Sequence, residues 1–68
     1  MKIKPIAGFY LLSDDVRREI EESQFTNIGV AHRFVQQHFP HHLVAREGGC
    51  ITVTNRDRSL LVASFKAL

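Results

Sequence analysis

The sequence predicts an α+β domain of order β-α-α-β-β-β, in which a helical hairpin covers one side of a small antiparallel sheet. Three observations predict it. Two helix-capping signals, Ser13-Asp14-Asp15 and Thr26-Asn27, stand in succession. The segment between Asn27 and Pro40 gathers its apolar residues on one helical arc. Beyond Pro40, two apolar segments flank Gly48-Gly49 and a third closes the chain, which is the pattern of hairpin-linked strands.

The first element is a strand within residues 1–12. Its basic start and apolar stretch have the look of a secretion signal, but Pro5 and Gly8 interrupt it and no small-residue cleavage site follows. Residues 9–12 form its aromatic and aliphatic end and run into the Ser13 cap, so a strand enters a helix there. The first helix is expected over residues 14–24. Only Val16 and Ile20 supply an apolar seam, and Asp14 with Arg18, Arg17 with Glu21 and Arg18 with Glu22 stand at the i,i+4 spacing of helical ion pairs.

Phe25-Thr26-Asn27 breaks the helix, Thr26 or Asn27 caps a second one, and Pro40 ends it after Phe39. Counting 100° per residue from Ile28, Val30, Ala31, Phe34, Val35 and Phe39 share about half the circumference. His38 falls inside that arc, whereas Gly29, His32, Arg33, Gln36 and Gln37 lie opposite it. This is the core helix. Residues 43–46 and 50–54 read as strands joined by a turn at Gly48-Gly49. Asn55-Arg56-Asp57-Arg58-Ser59 is a polar turn, and residues 60–66 form the last strand with Leu61, Ala63 and Phe65 on one face.

At 68 residues the chain holds one domain, residues 1–68. A 44% hydrophobic content with a net charge of only +2 excludes a disordered chain. The core is thin for its surface, so a homodimer is expected as a second source of stability. A single cysteine, Cys50, allows no internal disulfide and points to the reducing cytoplasm. No apolar run approaches the roughly 18 residues of a membrane span, and no membrane partner is expected.

The charges are unevenly placed. Residues 13–25 carry five acids and two bases, and the rest of the chain carries seven bases and two acids. All four histidines lie in the basic part, so mild acid raises its charge further. Such asymmetry suits an acidic partner, either nucleic acid or an acidic protein surface.

Among motifs that carry chemistry, His38-Phe39-Pro40-His41-His42 with His32 and Cys50 offers metal-ligand types. It lacks the paired cysteines of zinc fingers, and Pro40 turns His41 and His42 away from the helical direction of His38, so no metal and no cofactor are expected. Cys50 has no base at a defined spacing, and Glu47-Gly48-Gly49-Cys50 lacks the remaining features of a phosphate loop. No residue is therefore assigned a catalytic role.

Three classes of function remain. The first is a non-enzymatic binding protein, a regulator or inhibitor that occupies an acidic surface of a larger macromolecule. Its contact residues would be Arg33, Gln37, Arg46 and the exposed pair Arg56 and Arg58, with Phe25 at the helix break as an aromatic anchor. The second is a DNA- or RNA-binding regulator. Two helices followed by a hairpin resemble a degenerate winged helix-turn-helix, with Arg33 and Gln37 on base edges and Arg56 and Arg58 on phosphates. Against it stand the missing third helix, a turn without the usual glycine, and an acidic first helix. The third is a ribonuclease in which His41 or His42 moves protons and an arginine stabilises the phosphorane. Its element order resembles that of small ribonuclease toxins at the level of fold alone.

Overall fold

The computed structural model describes residues 1–8 and 12–68. The elements run β1 (Ile3–Ala7), α1 (Asp14–Glu22), α2 (Ile28–His38), β2 (Leu43–Glu47), β3 (Cys50–Thr54) and β4 (Leu61–Ala67). The four strands form one antiparallel sheet of order β1-β4-β3-β2, with the helices packed on it. The expected α+β class, helix hairpin and strand sequence are all present.

Both caps form as the sequence specifies. Ser13 Oγ accepts from Val16 N–H at 3.2 Å, and Asn27 Oδ1 accepts from Val30 N–H at 3.1 Å, so each satisfies a donor that the first helical turn leaves free. Asp14 and Asp15 occupy the first turn of α1, whereas α2 has no acid there. In α1, Arg17 pairs with Asp14 at 2.8 Å, an i,i+3 spacing. Arg18, expected to bridge Asp14 and Glu22, makes no ion pair among the described residues.

Direct register partners share a face of the sheet. On the helix-covered face one row reads Pro5–Phe65–Ile51–Arg46, and the next joins Ala63, Val53 and Val44. Phe65, Ile51, Val53 and Ala63 are fully buried there, together with Ile20 of α1 and Ala31 and Val35 of α2. α1 lies against β1 and α2 against β2. The acidic helix thus stands over one edge of the sheet and the basic arc of α2 over the other.

Three expectations need correction. The first strand covers Ile3–Ala7, earlier than its aromatic stretch; of residues 9–12, Phe9, Tyr10 and Leu11 lie outside the described residues and Leu12 is not in a strand. Pro5 lies within β1, which as an edge strand can lack one ladder donor. Leu61 does not join Ala63 and Phe65 in the core: the register shifts between Val53 and Thr54, so Leu61 pairs with Thr54 and stays 53% exposed. Phe25 is only 6% exposed, meets Phe34 edge to face at 5.3 Å between ring centroids, and exchanges a backbone hydrogen bond with Met1 at 2.7 Å. It ties the helix break to the segment just before β1, and its burial removes it from the contact surface.

Candidate binding groove between α2 and β2

Arg33 and Arg46, far apart in sequence, line the same groove. Arg46 ends the row Pro5–Phe65–Ile51–Arg46 on edge strand β2, on the face that the helices cover. Its three row partners are buried, but at the sheet's edge the guanidinium emerges beside the first turns of α2. A Cβ at Gly29 would stand 2.7 Å from Arg46 Nη1 and 3.1 Å from Asn27 Oδ1, so glycine leaves the guanidinium its place.

The groove encloses about 330 Å³ and is lined by Gly29, His32, Arg33, Gln36 and Arg46. A neighbouring hollow of about 410 Å³ extends it along α2 past Arg33, Gln36, Gln37 and Pro40. Neither lining includes a carboxylate. Among the described residues Arg33 and Arg46 form no ion pair. The helix dipole adds to this field, since the N-terminal end of α2 is its positive end and no acid stands in its first turn. Two guanidinium groups, an imidazole and two amides therefore converge on a surface that repels cations and offers planar donors to carboxylates or phosphates.

Arg56 and Arg58 lie elsewhere. Their turn joins β3 to β4, beside the start of β2, whereas Arg46 stands near the β2–β3 turn at the other end of β3. The length of a five-residue strand, roughly 16 Å, separates the two sites. The expected single patch is thus two cationic sites, one in the groove and one on the turn.

The turn is built for rigidity. Asn55 holds it by donating from Nδ2 to Ser59 Oγ at 3.0 Å and accepting at Oδ1 from Leu60 N–H at 3.1 Å, while Arg58 N–H donates to Asn55 O at 3.0 Å. The Ser59 hydroxyl and its N–H, the latter at 2.9 Å, hold the Asp57 carboxyl below its ordinary value. That lowered value makes the stabilising effect of these bonds complete above the normal carboxylate range and lost as pH falls through the lowered value.

Arg58 adopts φ 63°, a left-handed conformation that costs a non-glycine residue about 1 kcal/mol. Arg58→Gly is expected to raise the denaturant midpoint by a stability gain of up to about 1 kcal/mol. A chemical unfolding curve checks it, and a lower midpoint would mean that the arginine stem supports the turn.

The histidines occupy distinct surroundings. His38 is half-buried against Phe34 at 5.0 Å, and His42 stands edge-on to Phe39 at 5.7 Å with its Nδ1 buried and unpaired among the described residues. His41 is exposed. No three histidine, cysteine, aspartate or glutamate side chains converge among the described residues. Cys50 is a half-buried free thiol at the start of β3. No helix among the described residues is long and apolar enough to cross a membrane.

Compared with protein-family models, with curated proteins and with solved structures, the chain finds no match.

Proposed function

We propose that this protein is a small, non-enzymatic regulator or inhibitor that works in the cytoplasm by seating the α2–β2 groove on an acidic surface of a larger protein. The observation that carries the reading is the convergence of Arg33 and Arg46 in a groove whose lining holds no carboxylate. An unpaired guanidinium beside the positive end of a helix lowers stability slightly, and an acidic partner is what turns that cost into affinity. Gln36 and Gln37 beside Arg33 supply neutral donors and acceptors for orientation. The reading assigns no catalytic step, and it has the chain act as a homodimer.

One observation favours a second reading. Arg33, Gln36 and Gln37 share an open hollow on one helix face, and these are the side-chain types that read base edges and phosphates, so a DNA or RNA partner is the alternative.

The test is fluorescence anisotropy against labelled poly-glutamate, mixed duplex DNA and single-stranded RNA over a salt series. Arg33→Glu with Arg46→Glu is expected to abolish binding to the preferred polyanion without lowering the unfolding midpoint. In the nucleic-acid case the single change Arg46→Ala should reduce the salt slope by about 1. Preference for poly-glutamate supports a protein partner, preference for nucleic acid moves the conclusion to the second reading, and no binding to any of the three at low salt overturns both.

A further inference from the structure

We propose that the sheet face turned away from the helices is where a second copy of this chain docks, face to face, about a two-fold axis parallel to the strands. This rests on the homodimeric part of the preceding reading and not on its groove, which lies on the helix-covered side of the sheet.

The sheet register places the residues of this second face in rows. One row reads Lys4–Lys66–Cys50–Glu47 from β1 to β2. Two lysines thus stand directly opposite each other, a destabilising arrangement within one chain. Among the described residues neither lysine, nor Glu47, has an ion-pair partner. The next row is small and nearly flat, Ser64–Thr52–Ala45, and the third reads Leu61–Thr54–Leu43. Leu61 and Leu43 remain 53% and 37% exposed. A face with charges at one end, apolar side chains at the other and small residues between is shaped to receive another sheet at the usual spacing of about 10 Å.

The charges select the occupant and its orientation. A two-fold axis along the strands keeps every row at its own height and exchanges its ends, so β1 of one copy lies over β2 of the other. Lys4 then faces Glu47 of the second copy, twice per dimer, and the leucine row faces its own counterpart. A two-fold axis across the strands would set the lysine row against the leucine row and gain neither contact. The aligned arrangement is also the common way for two twisted sheets to stack.

The face is small. Four strands about 4.8 Å apart and about five residues long give roughly 19 by 17 Å on each copy. Over both copies that is only about 650 Å², well below the roughly 1,200 Å² of stable specific interfaces, so the dimer is expected to be weak and to dissociate at about 100 µM or above.

Sedimentation velocity from 1 to about 500 µM tests this with the full chain, with circular dichroism confirming that each variant is folded. The wild type is expected to shift from monomer to dimer across that range. Glu47→Lys alone and Lys4→Glu alone should each raise the dissociation constant at least tenfold, and the double exchange should restore it. Cys50, on the same face, should be alkylated more slowly where the dimer prevails. A wild type that is monomeric throughout, or a dimer indifferent to both single changes with Cys50 unprotected, overturns the proposal. Neither result bears on polyanion binding by Arg33 and Arg46, which is read separately.

Discussion

Gly8→Ala is expected to remove a large share of the protein's stability. Gly8 has φ +69°, and a Cβ there would stand 1.7 Å from Val62 O, 2.7 Å from Val62 C and 2.8 Å from Ala63 Cα. All three are backbone atoms of β4, so no rotamer change can make room, and β1 would have to separate from the strand with which it pairs. The left-handed conformation adds about 1 kcal/mol and the overpacking about 1–3 kcal/mol or more. At roughly 0.05–0.15 kcal/mol per residue, a chain of this length has only about 3–10 kcal/mol in total. Gly48→Ala provides the control. Gly48 also has a positive φ, of 60°, but its Cβ would meet nothing within 4 Å. It should therefore lose only the conformational part, about 1 kcal/mol. Urea unfolding of the two variants separates the effects, and equal losses would mean that β1 shifts away from β4 at little cost.

The same local geometry explains which parts of the fold were legible in the sequence. Ser13 and Asn27 could be read as caps because each side chain accepts from a backbone N–H only three residues further on. The buried arc of α2 was legible because Ala31, Val35 and Phe39 repeat with the helical period, and all three are buried. β1 was harder. Pro5 and Gly8 look like interruptions, yet Pro5 is accommodated by an edge strand and Gly8 by close approach to β4, and both facts depend on which strand lies next to β1. Leu61 failed for a related reason. Alternation assigns it to the core, but the register shift opposite Thr54 moves it out, and nothing local to residues 60–66 reports that shift.

The candidate site was legible as a set of residues and illegible as a geometry. Arg33, Gln37, Arg46, Arg56 and Arg58 stand out because each is basic or amide-bearing on a polar arc or turn. That Arg46 joins Arg33 depends on β2 being the edge strand beneath α2 and on Gly29 making room. Arg56 and Arg58 are separated from them because β3 runs between the two turns. Phe25 was misplaced because an aromatic residue at a break between helices looks exposed when its contacts with Phe34 and Met1 are unknown.

Phe65→Ala is the second change expected to remove a large share of the stability. Phe65 is fully buried on β4, the strand between β1 and β3, and shares its row with Pro5 on one side and Ile51 on the other. Among the described residues it is the largest fully buried side chain. Truncating a buried phenylalanine costs about 3–5 kcal/mol, because the transferred surface is lost and the cavity closes only in part. Closure is difficult here, since Pro5 is held at the edge by the ring of its own side chain and Ile51 by pairing on both sides. Phe65→Leu retains most of the volume and should cost less than about 1.5 kcal/mol. Because Arg46 ends this same row, the leucine variant also tests how firmly the sheet holds the groove. It should unfold at lower urea yet bind the preferred polyanion like the wild type. Weaker binding by a folded leucine variant would show that the position of Arg46 depends on the packing of Phe65 two strands away.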